Sequence, residues 1–258
     1  PSGEPTSKLI NQLSNLLDEN DVVIDGGNSF YQESIHHGEN LSKKNIKFIG
    51  MGVSGGEEGA RYGPAIMVGS NNNLDGDLIE LLSSISAKAP HDCVGFYEGS
   101  GSGHFIKMVH NGIEYAEMQL IAESYHLLKR TGFNNLQIAD FFSSLKKINQ
   151  SSYLIEITSE ILRKKDGEYF TVDLIKSLAN NKGTGRLTIE TSFELGVSAP
   201  SIYSAYDARV QSNTDYFWKT SSTSRIQDNK DNLDDSEKLS LQTALAKSLY
   251  FGRVASMI

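Results

Sequence analysis

The chain has 258 residues, 38% hydrophobic and 22% charged, the balance of a soluble globular protein with room for one large core or two ordinary ones. A formal net charge of −8 argues against a surface built to grip nucleic acid, which needs a basic stripe, yet leaves room for an anionic small molecule held by a few local Lys and Arg. The single Cys93 excludes an intrachain disulfide framework and fits a reducing compartment; no apolar run approaches a membrane span, and "PSGEPTSKL" lacks the basic start and apolar core of a signal peptide.

In chain order, "PTSKLINQLSNLLDEN" predicts an amphipathic helix with Ile10, Leu13, Leu16 and Leu17 on one side. "DVVIDGGNS" reads as a short buried strand ending in Gly26 and Gly27. A polar helix follows from Tyr31 to Lys44, then the strand "IKFIGMGV". "AIMVG" and "DCVGFY" are two further strands, separated by the helical "LDGDLIELLSSISA". Strands alternating with helices of this length predict βαβ units in a parallel sheet, whose ligands sit beyond the carboxyl ends of the strands. "GGNS" and "GVSGGEEGA" fall at those ends.

From His104 onward strand signals nearly vanish. Apolar spacing of three and four runs through the segment after Gly103, then through "LQIADFFSSLKKI", "YLIEITSEILRK", "LTIETSFELG" and "SIYSAYDARV". The fold class expected is therefore α/β then all-α, a partial doubly wound, Rossmann-like sheet followed by a helical domain. The boundary near Gly99 to Gly103 places the domains at 1–101 and 102–258. Thr220 to Glu237 is polar and reads as an exposed loop. The chain opens at Pro1 without Met and closes inside the helix-like "LAKSLYFGRVASMI" with no stop signal, the pattern of an internal portion.

Several motifs carry chemical potential beside a plainer reading. "GSGSGH" at 99–104 follows a strand and precedes a helix, but His104 stands where G-x-G-x-x-G needs its last glycine. It reads as an interdomain hinge, and a true fingerprint is expected in a first βαβ unit outside this chain. "GVSGGEEGARYGP" and "DGGNS" allow close backbone approach to an anion or serve chain geometry alone, and composition leaves both open. "NKGTGR" and "YDAR" offer Lys182, Thr184, Arg186 and Arg209 for a phosphate, although each alone reads as ordinary surface. His36, His37, His91, His126 and Cys93 show no metal-ligand spacing, so no metal is expected.

The sharpest feature is "KMVHNGIEY". Lys107, His110, Asn111, Glu114 and Tyr115 recur at the spacing that normally builds a helix's buried apolar face. A solvated charged face is the plain reading. Against it, Ile106, Val109, Ile113, Ala116 and Leu120 already supply an apolar side, and Gly112 sits mid-helix, where it costs about 1 kcal/mol relative to Ala. Something is expected to approach the backbone there.

Taken together, "DVVIDGGNSFYQES", "GVSGGEEGARYGPAIMVG", "GSGHFIKMVHNGIEYAEMQLIAESYHLLK" and "NKGTGR" resemble the decarboxylating 6-phosphogluconate dehydrogenases, in order from about Asn20 to Arg209. The long central run is the specific part of the match. The resemblance implies a cytoplasmic, homodimeric, NADP-dependent oxidoreductase of the pentose phosphate pathway. Its substrate is 6-phosphogluconate, and its products are ribulose 5-phosphate, CO₂ and NADPH; neither nucleic acid nor membrane is a partner. Carried over by motif, Lys107 is the general base and Glu114 the general acid. Ser54, Gly55, Gly56, His110 and Asn111 hold the carboxylate and hydroxyl end of the sugar acid. Tyr115, Lys182, Thr184 and Arg209 hold its phosphate, and Asn28 lies where cofactor and substrate meet.

The base role requires Lys107 neutral, hence a pKa lowered by burial or nearby cations, and the acid role requires Glu114 protonated when needed. The resemblance also implies that a first βαβ unit with the glycine fingerprint, and a C-terminal tail reaching the partner's site, lie outside this chain. On that expectation the 258-residue piece alone is feeble or inactive. Two rivals stand beside this reading: another β-hydroxyacid dehydrogenase, sharing the S-G-G loop and a Lys…Asn helix, or a non-catalytic dimerisation module.

Overall fold

The computed structural model describes residues 2–176, 178–180, 183–214 and 233–258, which fall into two compact units, Pro1–His110 and Asn111–Ile258. In the first, four strands, β1 (Val22–Asp25), β2 (Lys47–Ser54), β3 (Ala65–Ser70) and β4 (Val94–Glu98), lie side by side in chain order. β1 and β2 are parallel, joined by the helix α2 (Tyr31–Ser42), and β3 and β4 are parallel across α4 (Gly76–Ile85). The central pair departs from the expected all-parallel sheet. β2 and β3 run antiparallel, with Ile49 opposite Ser70 and Ser54 opposite Ala65. Only residues 55–64, including the short α3 (Gly56–Tyr62), connect them, and a parallel return needs a crossover of a dozen residues or more.

The sheet is covered on both faces. Phe48 and Ile49, neighbours on β2, point to opposite sides as the pleat requires. Phe48 packs with Ile10, Val23, Leu41 and Ile46, while Ile49 packs with Ile66, Val68 and Leu82. The first helix, α1 (Glu4–Leu13), is shorter than its apolar spacing predicts. The chain turns after Leu13, so Ile10 and Leu17 reach the core whereas Leu16 is left 79% exposed.

Among its described residues the second unit is helical apart from one small hairpin. A long helix, α5 (Ser102–Arg130), crosses the division between the units. α6 (Asn135–Ser144) starts at a capping box in which the Asn134 side chain accepts from the Gln137 amide and Gln137 accepts from the Asn134 amide, satisfying donors that a helix start otherwise leaves unpaired. α7 (Tyr153–Arg163) is capped by Ser152. Together with the middle of α5 they bury Leu128, Ile138, Phe141, Phe142, Leu145, Ile155 and Leu162.

β5 (Lys165–Asp166) and β6 (Tyr169–Phe170) form a hairpin that helical spacing missed. Its signal was Gly167, first of the two loop residues between Asp166 and Tyr169, which takes the positive φ such a turn demands. With a 3-10 turn at Leu145–Ile148, the helices α8 (Thr171–Leu174), α9 (Thr184–Leu195), α10 (Pro200–Ser212) and α11 (Asp235–Ala255) complete the described elements. Most of the polar stretch from Thr220 lies outside the described residues, but its end is not loop. Asp234 caps α11 in a capping box with Glu237, so Asp235 to Glu237 are helical. α11 docks through Leu249 in the core and through Gly252 against Leu120, and Arg253 lies 2.9 Å from the Glu117 carboxylate.

Candidate active site

In the first unit the site begins at the carboxyl end of β1. The buried Asp25 carboxylate accepts from the Gly27 amide at 2.9 Å and from the Ser29 hydroxyl at 2.6 Å. That pair of bonds ties the "DGGNS" turn shut and leaves Asn28 exposed at its tip. At the end of β2, Ser54 is half-buried, while Gly55 and Gly56 are exposed and both have positive φ. A Cβ at Gly55 would stand 2.7 Å from the Gly59 Cα, whereas Gly56 faces open space. Gly55 therefore serves chain geometry, and Gly56 leaves its backbone approachable.

Lys107 reaches this unit through glycines. The first turns of α5 lie directly on the backbone of β2 and β3: a Cβ at Gly103 would strike the carbonyl oxygens of Met67 and Gly50, and one at Gly69 would lie 2.5 Å from the Gly103 nitrogen. A Cβ at Gly52 would lie 2.5 Å from the Cβ of Lys107 itself. "GSGSGH" is thus a buried helix-on-sheet contact, not the hinge its composition suggested. The same packing explains Gly50 and Gly52, the first two glycines of a G-x-G-x-x-G spacing at 50–55. They lie along β2 and recess α5, while Gly55 stands past the strand end against Gly59; two glycines within a strand do not make the strand-to-helix turn that holds a pyrophosphate. Lys107 is 8% exposed, and His110 is half-buried. Burial was one of the two conditions set for a lysine base.

In the second unit, Asn111 and Glu114 are half-buried on α5 and Tyr115 is buried. The Arg209 guanidinium of α10 stands over the Tyr115 ring at 3.9 Å from its centroid, donates to the Asn180 carbonyl at 2.9 Å and contacts the Met118 sulfur. The ring's other close neighbour is Gly185, where a Cβ would fall 2.6 Å from it. Gly185 follows Thr184, the first residue of α9. The Tyr115 ring therefore has the stacked Arg209 cation and the start of α9, at Gly185 next to Thr184, as close neighbours. Lys182 lies outside the described residues. Gly112 has found its partner: a Cβ there would meet the Thr188 side chain at 2.7 Å, so the close approach expected at this glycine is that of α9, not of a ligand.

Two residues of this region escaped the sequence reading. His104 is buried in the first unit, its Nδ1 2.7 Å from the hydroxyl of the equally buried Ser34 on α2. Burial pulls the imidazole pKa below 6.5, outweighing the nearby Asp25 carboxylate and the backbone carbonyls of Gly27, Asp25 and Met51 that favour the charged form. Gly185 was passed over as part of a loop motif; only the ring across from it shows why a side chain is excluded. Among the described residues no three His, Cys, Asp or Glu side chains gather to hold a metal, and no helix is long and apolar enough to cross a membrane.

The architecture, a Rossmann-like unit continued by helices, is shared with two 3-hydroxyisobutyrate dehydrogenases, from Salmonella typhimurium (TM-score 0.58, 15% identity, covering 93% of this chain and 75% of that one) and Mycobacterium tuberculosis (TM-score 0.60, 15% identity, 96% and 77%). At that identity the likeness defines the fold class alone. Family models narrow it: residues 1–97 match the NAD binding domain of 6-phosphogluconate dehydrogenase, and residues 103–258 match the 6-phosphogluconate dehydrogenase C-terminal domain. The chain belongs to the 6-phosphogluconate dehydrogenase family. A decarboxylating 6-phosphogluconate dehydrogenase from Lactococcus lactis subsp. lactis is 41% identical, covering 99% of this chain and 55% of that protein, and one from Synechocystis is 44% identical over 82% and 46%. Plasmodium falciparum 6-phosphogluconate dehydrogenase, solved in its apo form, with its cofactor NADP+ and with its substrate 6-phosphogluconate, aligns with a TM-score of 0.87 at 35% identity, covering all of this chain and 56% of that one. The chain spans about half the length of the curated relatives it matches.

Proposed function

We propose that this chain carries the catalytic centre of a cytoplasmic, homodimeric, NADP-dependent 6-phosphogluconate dehydrogenase, which converts 6-phosphogluconate to ribulose 5-phosphate and CO₂ in the pentose phosphate pathway. The observation that carries the reading is family membership across both units, with relatives of that name at 41% and 44% identity. The arrangement of Tyr115, Thr184 and Arg209 supports a phosphate at that end of the substrate, because a guanidinium fork and a hydroxyl at a helix start are donors suited to phosphate oxygens. Lys182 and the Ser54, Gly55, Gly56, His110 and Asn111 set complete the proposed contacts, the latter group toward the carboxylate.

NADP, when bound, supplies the hydride acceptor for C3. The exposed Asn28, held by the Asp25-bonded turn at the carboxyl end of β1, fits a contact to that group, since ligands of doubly wound sheets sit beyond these strand ends. Lys107 takes the 3-hydroxyl proton as C3 is oxidised, and the resulting β-keto acid loses CO₂. As an ammonium, Lys107 then stabilises the enediolate oxygen, and Glu114 delivers a proton to the former C2 of the sugar acid, which becomes C1 of ribulose 5-phosphate. The seating of Lys107 over Gly52, largely shielded from water, supports its use as a proton acceptor.

The test is an assay of the full-length enzyme, not of the 258-residue piece alone, with 6-phosphogluconate and NADP, against hydroxyisobutyrate as the competing substrate. Phosphogluconate is expected to be turned over and hydroxyisobutyrate not. Lys107→Ala and Glu114→Ala are each expected to lose most of the turnover, about 100-fold or more by the usual contribution of general acid–base groups, while 6-phosphogluconate still binds. Near-normal turnover in either variant would remove that residue from its role.

A further inference from the structure

His104 is a buried titratable group that the chemistry above does not use. It stands one helical turn before Lys107, so the two share a face of α5, and that face lies against β2. Gly50 and Gly52, two apart and hence on one side of the strand, provide the recesses beneath them: a Cβ at Gly50 would come within 3.0 Å of His104 Nδ1, and one at Gly52 within 2.5 Å of the Lys107 Cβ. Backbone packed on backbone has few side chains to interlock, so it resists rotation or sliding of the helix poorly. Side-chain ties must supply much of that resistance. Among them are His104 Nδ1 to Ser34 Oγ, the Asn71 side chain, which donates to Ser100 Oγ at 2.9 Å, and the Phe105 ring edge-on to Tyr31 of α2. The first grips the helix within one turn of the lysine. The other imidazole nitrogen, Nε2, is buried with no hydrogen-bond partner among the described residues, an expense that a merely space-filling position would avoid with an apolar side chain.

We propose that the Ser34–His104 pair is a positioning device that fixes the rotation of α5 on β2 and thereby aims the Lys107 amine. The inference rests on the base role proposed for Lys107. His104 touches no reacting atom; it acts through the helix that carries one. Its loss should therefore lower the rate of the chemical step and leave substrate binding nearly intact.

The experiment compares His104→Leu, His104→Asn and Ser34→Ala in the full-length enzyme by steady-state kinetics, with thermal melting as a fold check. His104→Leu keeps the bulk and is expected to lose kcat about 10- to 100-fold, the scale of a 1 Å misplacement of a catalytic group, with KM for 6-phosphogluconate changed by less than about threefold. His104→Asn, whose amide can occupy the Nδ1 position and meet Ser34, is expected to recover most of that loss. Ser34→Ala should follow His104→Leu in direction and stands as the deciding variant if the leucine protein does not fold. The proposal is overturned if Ser34→Ala and folded His104→Leu turn over like wild type, if asparagine is no better than leucine, or if kcat falls only in proportion to lost folded protein. Lys107→Ala separates the two readings: full turnover in that variant sinks the base assignment itself, whereas a dead Lys107→Ala beside a fully active His104→Leu sinks only the positioning role.

Discussion

The two units solve the same packing problem with opposite materials. In the sheet unit, α5 approaches β2 and β3 because side chains are absent, at Gly50, Gly52, Gly69 and Gly103. In the helical unit the same helix, further along, is held because large side chains are present, with Leu128, Phe142, Leu145 and Leu162 almost wholly buried together. The first arrangement sets a backbone-to-backbone distance that no added atom can respect; the second fills a volume that tolerates loss by degrees. Lys107, placed by the first kind of contact, gains a fixed height over the strand.

The contrast predicts the ranking of substitutions. The largest effect is expected at Gly103→Ala, the smallest possible addition. Its methyl would enter the carbonyl oxygens of Met67 and Gly50, which are backbone and cannot swing aside, so the cost should exceed the about 1–3 kcal/mol of ordinary overpacking. Hydrogen exchange of β2 and β3 should show the unit opened; wild-type protection there would break the comparison. Phe142→Ala, a removal from the filled core, should cost about 3–5 kcal/mol in chemical denaturation of the helical unit, with secondary structure retained. A loss under about 1 kcal/mol would mean that this core is not held by volume.

Gly112→Ala tests one of the places where the helical unit borrows the sheet unit's method. The added methyl would meet Thr188 at 2.7 Å, a side chain on a neighbouring helix that can move. A net destabilisation of about 1 kcal/mol is expected once the helix-propensity gain is set against overpacking. Thr188→Ala should relieve most of it, so additivity of the two changes would argue against the contact.

The smallest effect is a pH dependence in the sheet unit. His37 is buried against Phe48 and 3.1 Å from the Ser7 hydroxyl, and burial lowers its pKa below 6.5, with His36 adding to the shift and Glu33 and Asp25 opposing it. The folded chain thus binds a proton less readily than the unfolded one. Stability from His37 is complete above pH 6.5 and is lost as pH falls below that value toward the folded pKa. His37→Gln should flatten this part of the stability–pH profile, leaving the fall due to His104; an unchanged profile would show that the ring does not titrate with folding.

Much of this was legible in the chain. All four strands of the sheet, the positions of α4 to α7, and the family itself could be read from apolar spacing and from runs such as "KMVHNGIEYAEMQLIAESYHLLK". The misreadings differ in cause. The all-parallel sheet overlooked how few residues, 55–64, separate β2 from β3, whereas the hinge at Gly99 to Gly103 was inferred from local pattern, and the partner of Gly112 left unnamed, because the deciding contact was far along the chain. Gly103 meets β2 and β3; Gly112 meets Thr188. The loop assigned through Glu237 failed differently, because the Asp234…Glu237 capping box was present in the sequence and went unread beside so many polar residues.

What the sequence by itself offered is a set of candidates: helical spacing marks Lys107, Glu114 and Tyr115, because side-chain chemistry and helical period are properties of short segments, while Thr184 and Arg209 and the roles proposed for all five rest on the family resemblance. What only the tertiary structure decided is how those residues are seated: Lys107 over Gly52, Arg209 across the Tyr115 ring with Gly185 beside it, and His104 bound to Ser34 seventy positions away. A glycine in the sequence records only that a side chain is missing. Which backbone or ring comes to occupy the space is settled when distant segments pack at van der Waals distance, and no local period encodes that distance.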